Sequence, residues 1–521
     1  MNSRSAAATP TRMPVAPSQA FAGQGESLRV ADVIICAMLL LSLLIRTALL
    51  TGPVGSDDLN YFRFAQQLLQ WEHFSELHHH GGRLVFLALI GLPAAAFDSI
   101  YAGVAANIAM LSVRDILIVC YVRKRLDTVA AISAAGILGF NAVSSAYAGL
   151  MLPDGLLSLC MFLAAAMAFE SVRADGRKRL LLLAAGGLLA GAGYSVKDTG
   201  ILIVPCAVAW ILIADSRWKT QLTQALAEAG LFVAGFAAFV IAEMGFYYVL
   251  SGDPLYRLHA IALTHNTTGD VAEAQSLYDF VRHVFWNALA VTKWDAASLP
   301  VLVMAALVWP ISVAKRAPLA FFAMTGTFLA VYLIAGSSSF TRLIPLPVQD
   351  RYFEVLVPFL AVAAAGLVHL YRQFQTRDRK HAIGVGLALV VALASLPAIV
   401  ANPGDVTFSA LGKNAAIAIK AVRSGNPESN IYVSPKLYWV VQPFLPRDVY
   451  ADIEVIADSG PLIPGFYILH PWLDTTERYP RATDIGQLPT YVAVDEDHRI
   501  LGRLASRAPN REIAVKSFEG G

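Results

Sequence analysis

The stretch "GPVGSDDLNYFRFAQQLLQW", residues 52–71, follows an apolar run that begins at Val30 and is long enough to cross a bilayer. Ser56 or Asp57 can cap a helix that continues through the stretch, with apolar residues on one side and Arg and Gln on the others. We therefore predict an amphipathic helix at the membrane surface. Asp57 and Asp58 either only stabilise the start of that helix or carry the chemistry of a membrane enzyme.

The composition indicates a polytopic membrane protein. The chain has 521 residues, of which 56% are hydrophobic and 15% charged, whereas soluble domains carry about 25% charged residues. The net charge of +2 gives no reason to expect a nucleic-acid partner. The four cysteines lie in apolar runs and form no C-x-x-C pair, so we expect neither a disulfide framework nor a cysteine zinc site.

About eleven segments have the apolar length of a transmembrane helix. The run Leu84–Phe97 is too short to cross, so we predict a re-entrant or interfacial helix there. Residues 1–29 are rich in Ala, Ser, Pro and Gly, which predicts a disordered cytosolic tail. The predicted spans are 30–51, 100–122, 128–148, 155–172, 180–196, 199–214, 229–250, 298–314, 317–336, 354–370 and 383–400.

The basic residues predict the orientation of these spans. With the N-terminus in the cytosol, the segments on that side carry more than twice as many Lys and Arg residues as those opposite, as the positive-inside rule requires. Residues 401–521 combine short strand patterns with one amphipathic helix, which predicts a small α/β domain outside the membrane. The loops then predicted on the outer face are loop one (52–99), loop two (148–155), loop three (251–297) and loop four (336–353).

Several polar residues stand where these loops meet the spans. Asp154 opens a span in "LPDGLLSL", either as a helix cap or as a second carboxylate that shares general-base, orienting or metal-binding roles with the first. Lys197 and Asp198, between two spans, are either a functional pair at membrane depth or a local ion pair at a tight corner. Arg114 and Asp115, within a span, fit a structural role better than ligand binding.

Other polar residues suggest phosphate or metal binding. In "FSELHHHGGRLV", three successive histidines, 78–80, can bind a metal only if they converge, which adjacent side chains on one strand or helix cannot do. Arg83 in the same stretch is well placed to bind a phosphate bidentately. Arg351 and Tyr352 in "PVQDRYFEVLVPFL" are either interfacial anchors or further phosphate ligands.

Together these stretches resemble the GT-C superfamily of integral membrane glycosyltransferases, in the branch with protein O-mannosyltransferases, aminoarabinose transferases of lipid A and RgtA-like enzymes. In that family an acidic pair opens the first outer loop, as in "SDDLNYFRFAQQLL", and Pro-Asp ends the second, as in "LMLPDGLLSL". Later patterns of the family resemble "GAGYSVKDTGILIVP" and "DRYFEVLVPF". The resemblance covers about residues 30–370 and implies a GT-C catalytic domain over 30–400, with interfacial helices in loop one.

The resemblance implies sugar transfer from a polyprenyl-phosphate donor to a glycan, lipid or protein acceptor, at the outer face of the bacterial inner membrane. Asp57 would be the general base on the acceptor hydroxyl, with Asp58 and Asp154 orienting the acceptor or binding a metal. The residues that would neutralise the departing lipid phosphate are Arg83, Lys197, Arg351 and Tyr352. The family divides on metal dependence, which leaves a divalent cation open as cofactor. Its candidate ligands are Asp57, Asp154 and His79 or His80.

Two other classes of function remain open from the sequence. A lipid or sugar transporter would place polar groups near the bilayer midplane, often within repeated halves, and the chain shows no internal repeat. A non-catalytic envelope assembly protein would work through residues 401–521 and would tolerate Asp57→Asn.

Overall fold

The structure is a computed structural model that describes most positions between Gly25 and Ser517. Of the predicted tail 1–29, only residues 25–29 lie in the described part, where they begin the first helix. The described residues are 25–48, 57–74, 77–214, 221–267, 276–291, 297–337, 344–346, 349–372, 386, 389–396, 415–420, 422–424, 427–428, 430–433, 438, 441, 444–455, 465–469, 490–494, 500–505 and 516–517.

Helices dominate the chain up to Arg372. Helices α9 and α15 open with a 3-10 turn, and α3 contains a π-helical turn. The helices are α1 (Gly25–Ala48), α2 (Asp57–Leu69), α3 (Leu84–Ala96), α4 (Ile100–Arg125), α5 (Thr128–Phe140), α6 (Ala142–Tyr147), α7 (Asp154–Ser171), α8 (Gly176–Val196), α9 (Asp198–Ile213), α10 (Leu222–Ser251), α11 (Tyr256–Thr267), α12 (Leu277–Val291), α13 (Ser298–Ala314), α14 (Ala320–Ala335), α15 (Asp350–Arg372) and α16 (Arg447–Ala451).

The protein is an integral membrane protein. Six of the described helices, α1, α4, α7, α8, α10 and α15, are long and apolar enough to cross a membrane. Helices α3, α5, α9, α13 and α14 are also apolar but shorter, so the predicted count of eleven spans is not confirmed. Of the predicted span 383–400, residues 389–396 are helical and most of the others lie outside the described residues. Large apolar side chains such as Leu40, Val113 and Leu307 are exposed, which suits a lipid-facing surface.

The predicted span 128–148 is wrong as a single helix, because Asn141 divides it into α5 and α6. The Asn141 side-chain oxygen accepts the Ser144 N–H at 2.7 Å, and its amide donates to the Leu138 carbonyl at 2.8 Å. One side chain thereby satisfies the end of α5 and the start of α6. The chain redirected at this point leads into loop two.

Glycines allow the close packing of α8 against α10. A Cβ atom on Gly187 would lie 2.0 Å from the Phe232 carbonyl oxygen, and one on Gly235 would lie 2.6 Å from the Ala184 carbonyl oxygen. Small residues permit this approach of two helix backbones within a membrane, where van der Waals contact drives association. The pairing fixes Lys197, which follows the end of α8.

Loop one contains the predicted amphipathic helix as α2, which begins at Asp57. Its buried face includes Tyr61, Phe64 and Leu68 and packs mainly against α3. Helix α3 corresponds to the predicted short apolar helix, and its position at the membrane interface stays a prediction.

The C-terminal region contains a mixed sheet with its own core. The strands are β1 (Ile431–Val433), β2 (Ile453–Val455), β3 (Gly465–Leu469), β4 (Thr490–Val494), β5 (Ile500–Ala505) and β6 (Lys516–Ser517), in the order β2-β1-β3-β4-β5-β6. Strand β1 pairs in parallel with β2 and β3, and the other pairings are antiparallel. Ile419 and Val422, from the predicted amphipathic helix, pack in the core beside Ile431 and Ile468. The predicted α/β character of this region is confirmed.

Candidate functional site

The Asp57 carboxylate is held between a histidine and an arginine. Its Oδ2 accepts a hydrogen bond from Arg351 Nη1 at 3.0 Å, and its Oδ1 lies 3.2 Å from His80 Nε2. Asp57 is the first residue of α2, where its charge also favours the helix N-terminus. The residue at the start of the helix is therefore also the residue that faces loop four.

These neighbours decide the charge of Asp57. Burial alone would raise the pKa of this carboxyl, but the interaction with His80 and the positive charges of Arg351 and Arg83 hold the pKa well below its usual range. The carboxylate is therefore ionised at neutral pH while these cations surround it.

Asp58 has a different environment from Asp57. It is buried, and its Oδ1 accepts the backbone N–H of Met151 at 2.8 Å. Because Met151 lies in loop two, Asp58 ties the start of α2 to the segment that leads into Asp154. The Asp58 carboxylate thus helps to hold loop two in place.

The Asp154 carboxylate pairs with Lys197 across the site. Lys197 Nζ lies 2.6 Å from Asp154 Oδ1 and 3.6 Å from the centre of the Tyr352 ring, a cation–π contact. Asp154 opens α7 without capping it, and among the described residues its Oδ2 is buried with no hydrogen-bond partner. Of the two alternatives for Lys197 and Asp198, the local ion pair does not form, since Lys197 pairs with Asp154 and Asp198 pairs with Arg257.

Arg83 faces the same carboxylates without pairing to any of them. Its guanidinium lies over the Tyr61 ring, 5.5 Å from the ring centre, and makes no side-chain hydrogen bond or ion pair within the described part of the chain. Burial lowers the pKa of Arg83, while the charges of Asp57, Asp198 and Asp154 raise it. A half-buried arginine without a partner is suited to an anionic ligand.

A small pocket lies between Asp154 and Arg351, the arginine that contacts Asp57. Its lining includes Asp154 at the start of α7, Arg351 and Glu354 in the first turns of α15, and Ser144 and Tyr147 of α6. Arg351 Nε, like Asp154 Oδ2, has no hydrogen-bond partner among the described residues. Segments of loops one, two and four thus meet at the site, together with Lys197, which lies between α8 and α9. Loop three contributes Arg257.

Sequence reasoning missed Arg257, a buried arginine at the start of α11. Its Nη2 lies 2.6 Å from Asp198 Oδ1, and its Nη1 lies 3.4 Å from Glu243 Oε1. It also donates to the carbonyl oxygen of Gly82, at 3.1 Å, and to that of Tyr194. The available signal was Glu243, a carboxylate inside an apolar helix, which requires a partner.

A buried network of ion pairs and hydrogen bonds lies next to Arg351. Arg114 pairs with Asp115 and Glu354, and Ser144 Oγ donates to Glu354 at 2.6 Å. The structural role expected for Arg114 and Asp115 fits this arrangement. Because Glu354 lies in the same 3-10 turn as Arg351, the network fixes the turn that presents Arg351 to Asp57.

The Asp57–Asp154 pair does not fit a divalent cation. Asp57 already pairs with Arg351 and lies beside His80, and Asp154 already pairs with Lys197, so a guanidinium and an ammonium group compensate the two carboxylates. A metal bound between them would have to displace these partners. The chemistry proposed below therefore uses no metal at this pair.

The sequence matches no protein-family model and no curated protein significantly. Solved structures do match. ArnT from Cupriavidus metallidurans in the apo state aligns with a TM-score of 0.53 at 12% identity, over 86% of this chain and 94% of that chain. The oligosaccharyltransferase of Archaeoglobus fulgidus, in complex with Zn and sulfate, aligns with a TM-score of 0.50 at 13% identity, over 84% and 68%. This chain has the GT-C fold.

The GT-C fold predicted from the motifs is thereby confirmed. At 12 and 13% identity the likeness concerns the fold, so the chemistry has to be argued from the residues of this chain. A structure of the same ArnT bound to undecaprenyl phosphate aligns at a TM-score of 0.48, too low to support an argument.

Proposed function

We propose that the protein transfers a sugar from a polyprenyl-phosphate donor to the hydroxyl of an acceptor at the outer face of the membrane. The observation that carries this proposal is the Asp57 carboxylate beside Arg351, with Arg83 nearby and without an ion pair among the described residues. A base for an acceptor hydroxyl and cations for a leaving phosphate thus lie in one site. The GT-C fold supports the proposal, because one of the matching structures is an oligosaccharyltransferase by name.

The reaction is a single displacement. The acceptor oxygen attacks the anomeric carbon, the bond from that carbon to the phosphate oxygen breaks, and the acceptor proton passes to Asp57. The lipid phosphate leaves with the bonding electrons and is neutralised by Arg83, Arg351 and Lys197, with Tyr352 as a further ligand. Because one displacement occurs, the configuration at the anomeric carbon inverts.

A carboxylate with a low pKa is a weak base, so Asp57 needs a higher pKa when the reaction occurs. Release of Arg351 from Asp57 would provide this change. When the donor binds, its phosphate competes with Asp57 for the Arg351 guanidinium. Loss of that partner raises the proton affinity of Asp57 in the donor complex, where a base is required. The Asp57–Arg351 contact therefore belongs to the free enzyme.

Asp154 and Asp58 orient the acceptor in this proposal. The partnerless Asp154 Oδ2 can accept from an acceptor hydroxyl, and Asp58 holds loop two in register. The chain is further proposed to lie in the bacterial inner membrane with a cytosolic N-terminus and with residues 401–521 outside it. The acceptor is a lipopolysaccharide or other lipid, a cell-wall glycan or a protein.

The test is an in vitro transfer assay with defined polyprenyl-phosphate sugars. We expect Asp57→Asn to lower the transfer rate by about 100-fold or more, as removal of a general base does. Asp98→Asn is the matched control, because Asp98 is exposed in the same loop, and Asn is also tolerated at its positive φ of 47°. Full activity of Asp57→Asn would exclude Asp57 as the base. The absence of transfer by the wild type with every donor would favour the transporter or assembly alternatives.

A further inference from the structure

The three successive histidines of loop one converge, which corrects the expectation from sequence. The ring centres of His78 and His80 lie 4.6 Å apart, and that of His79 lies 4.6 Å and 4.0 Å from them. Their chain is neither strand nor helix here. It turns, with the Gly81 N–H donating to the His78 carbonyl at 3.0 Å and the Arg83 N–H donating to the His80 carbonyl at 3.3 Å.

The turn is held firmly by its surroundings. A Cβ atom on Gly81 would lie 2.5 Å from Tyr256 Oη and 2.8 Å from the Phe64 ring, so only glycine fits there. The Tyr247 hydroxyl donates to the Gly81 carbonyl at 3.2 Å, and Arg257 donates to the Gly82 carbonyl. The histidine backbone is therefore fixed before any ligand arrives, which lowers the entropic cost of binding.

His80 directs its two ring nitrogens to different partners. Its Nδ1 lies 2.9 Å from His78 Nδ1, inside the cluster, and its Nε2 lies 3.2 Å from Asp57 Oδ1, outside it. A histidine that ligates a metal through one nitrogen usually donates the N–H of the other to a carboxylate. Asp57 is such a carboxylate for His80.

We propose that His78, His79 and His80 bind a Zn²⁺ ion or a similar transition metal. One ring nitrogen from each histidine lies within 4.8 Å of the others, and tetrahedral zinc with Zn–N bonds of about 2.0–2.1 Å places its ligand atoms about 3.3 Å apart. Because the His78 and His80 rings are stacked with an angle of 9° between their planes, the rings must rotate about their side-chain bonds to direct their lone pairs at one ion. Neutral imidazoles favour Zn²⁺, Cu²⁺, Ni²⁺ or Fe²⁺ over Mg²⁺ or Ca²⁺, and three protein ligands leave a fourth position open.

The ion would act on Asp57 through His80. Ligation through Nδ1 fixes the His80 tautomer with the proton on Nε2, which then donates to Asp57 Oδ1. This site goes beyond the proposed function, because no step of the transfer requires the ion.

The test uses the full-length protein, purified in detergent without a polyhistidine tag and stripped of metal. Titration with Co²⁺ is expected to give about one ion per chain, with the visible absorption bands of a tetrahedral site, and Zn²⁺ is expected to displace it. His79→Asn should weaken binding at least 10-fold, and the double variant His78→Asn/His79→Asn should abolish it. His73→Asn is the matched control, because His73 is exposed in the same loop.

Two results would overturn the metal site. One is wild-type protein that binds no stoichiometric Co²⁺ or Zn²⁺, and the other is a double variant that binds as the wild type does. Circular dichroism and gel filtration of each variant show that loss of binding is not loss of folding. Because the titration needs neither donor nor acceptor, its result is independent of whether the protein transfers sugar.

Discussion

Arg351 Nη1 donates to Asp57 Oδ2 at 3.0 Å, although the two residues are 294 positions apart in the chain. The contact connects the start of α2 with the start of α15. Together with His80, it keeps Asp57 ionised in the free protein. In the proposed mechanism, a donor phosphate competes with Asp57 for this arginine, so that donor binding and activation of the base are coupled through one guanidinium.

This coupling predicts two different acid limits in the pH profile. Activity falls as the pH drops through the pKa of Asp57, because a protonated carboxyl cannot act as a base. The profile of kcat/KM reports the free enzyme, where His80 and, to a smaller extent, Arg351 hold that pKa low, and the profile of kcat reports the proposed donor complex, where the phosphate has taken Arg351. We expect the acid limb of kcat to lie at higher pH than that of kcat/KM.

The variant Arg351→Gln tests the cause of this separation. Without the guanidinium, the acid limb of kcat/KM should move to higher pH and approach that of kcat, and the transfer rate should fall. Steady-state kinetics at varied pH provide both profiles. An unchanged kcat/KM limb in Arg351→Gln would contradict the role of this contact.

Arg83→Met should weaken donor binding without unfolding the protein. Arg83 makes no side-chain hydrogen bond or ion pair in the described part of the chain, so its loss leaves no buried carboxylate unpaired. A charge-assisted hydrogen bond contributes about 1.5–3 kcal/mol, which corresponds to a rise in KM for the donor of about 10- to 100-fold. Arg63→Met is the control, because Arg63 lies on α2 over the Phe64 ring. Equal KM values for both variants would exclude Arg83 from the phosphate site.

Lys197→Met should destabilise the protein by about 3 kcal/mol, because it leaves the buried Asp154 carboxylate without its cation. The double variant Lys197→Met/Asp154→Asn should recover much of this loss in thermal unfolding while transfer stays low. Recovery of stability without activity separates the structural role of the pair from its role in the site. A double variant no more stable than Lys197→Met would show that the ion pair is not the cause.

Asp127→Asn should destabilise the protein at neutral pH and roughly half as much at pH 3. Burial raises the pKa of this helix cap, but His369, the Ala130 N–H and Arg372 lower it more, to about 2. The stabilisation is therefore complete above the unfolded pKa of about 3.9 and is lost as pH falls toward about 2, with about 2 kcal/mol expected at pH 7. Unfolding at pH 7 and at pH 3 measures the difference. Asp175→Asn, at an exposed helix start without a cap hydrogen bond, should have little effect at either pH.

The sequence predicted Asp57, Asp154, Lys197 and Arg351 as candidate site residues because each lies where a loop meets a helix, and the structure brings these side chains together. Polar residues at that depth are costly and few, so a short list of them includes most of the candidate site. Which of these residues pair with one another is harder to predict from the sequence. The Lys197 partner depends on how α7 and α8 pack, and the neighbouring Asp198 was the nearer choice along the chain.

The rest of the site depends on contacts that no local pattern contains. Arg257 is one of several polar residues in loop three, and only its position beside Asp198, Glu243 and Gly82 distinguishes it. The convergence of the three histidines does not follow from the sequence, because the argument against it holds only for a regular strand or helix. The chain turns here instead, and the turn closes at Gly81. The break at Asn141 was missed because the apolar run continues through it.

The distance along the chain between Asp57 and Arg351 has a consequence for biosynthesis. Ribosomes complete Asp57 long before they complete Arg351, so a nascent chain contains the carboxylate without its countercharge. Helix α2 can fold against α3 at that stage, but the contact with Arg351 forms only when α15 is in place. A chain that stops before residue 350 would therefore hold Asp57 beside His80 but without Arg351, so the two ends of this site are joined only in the last stage of synthesis of the helical region.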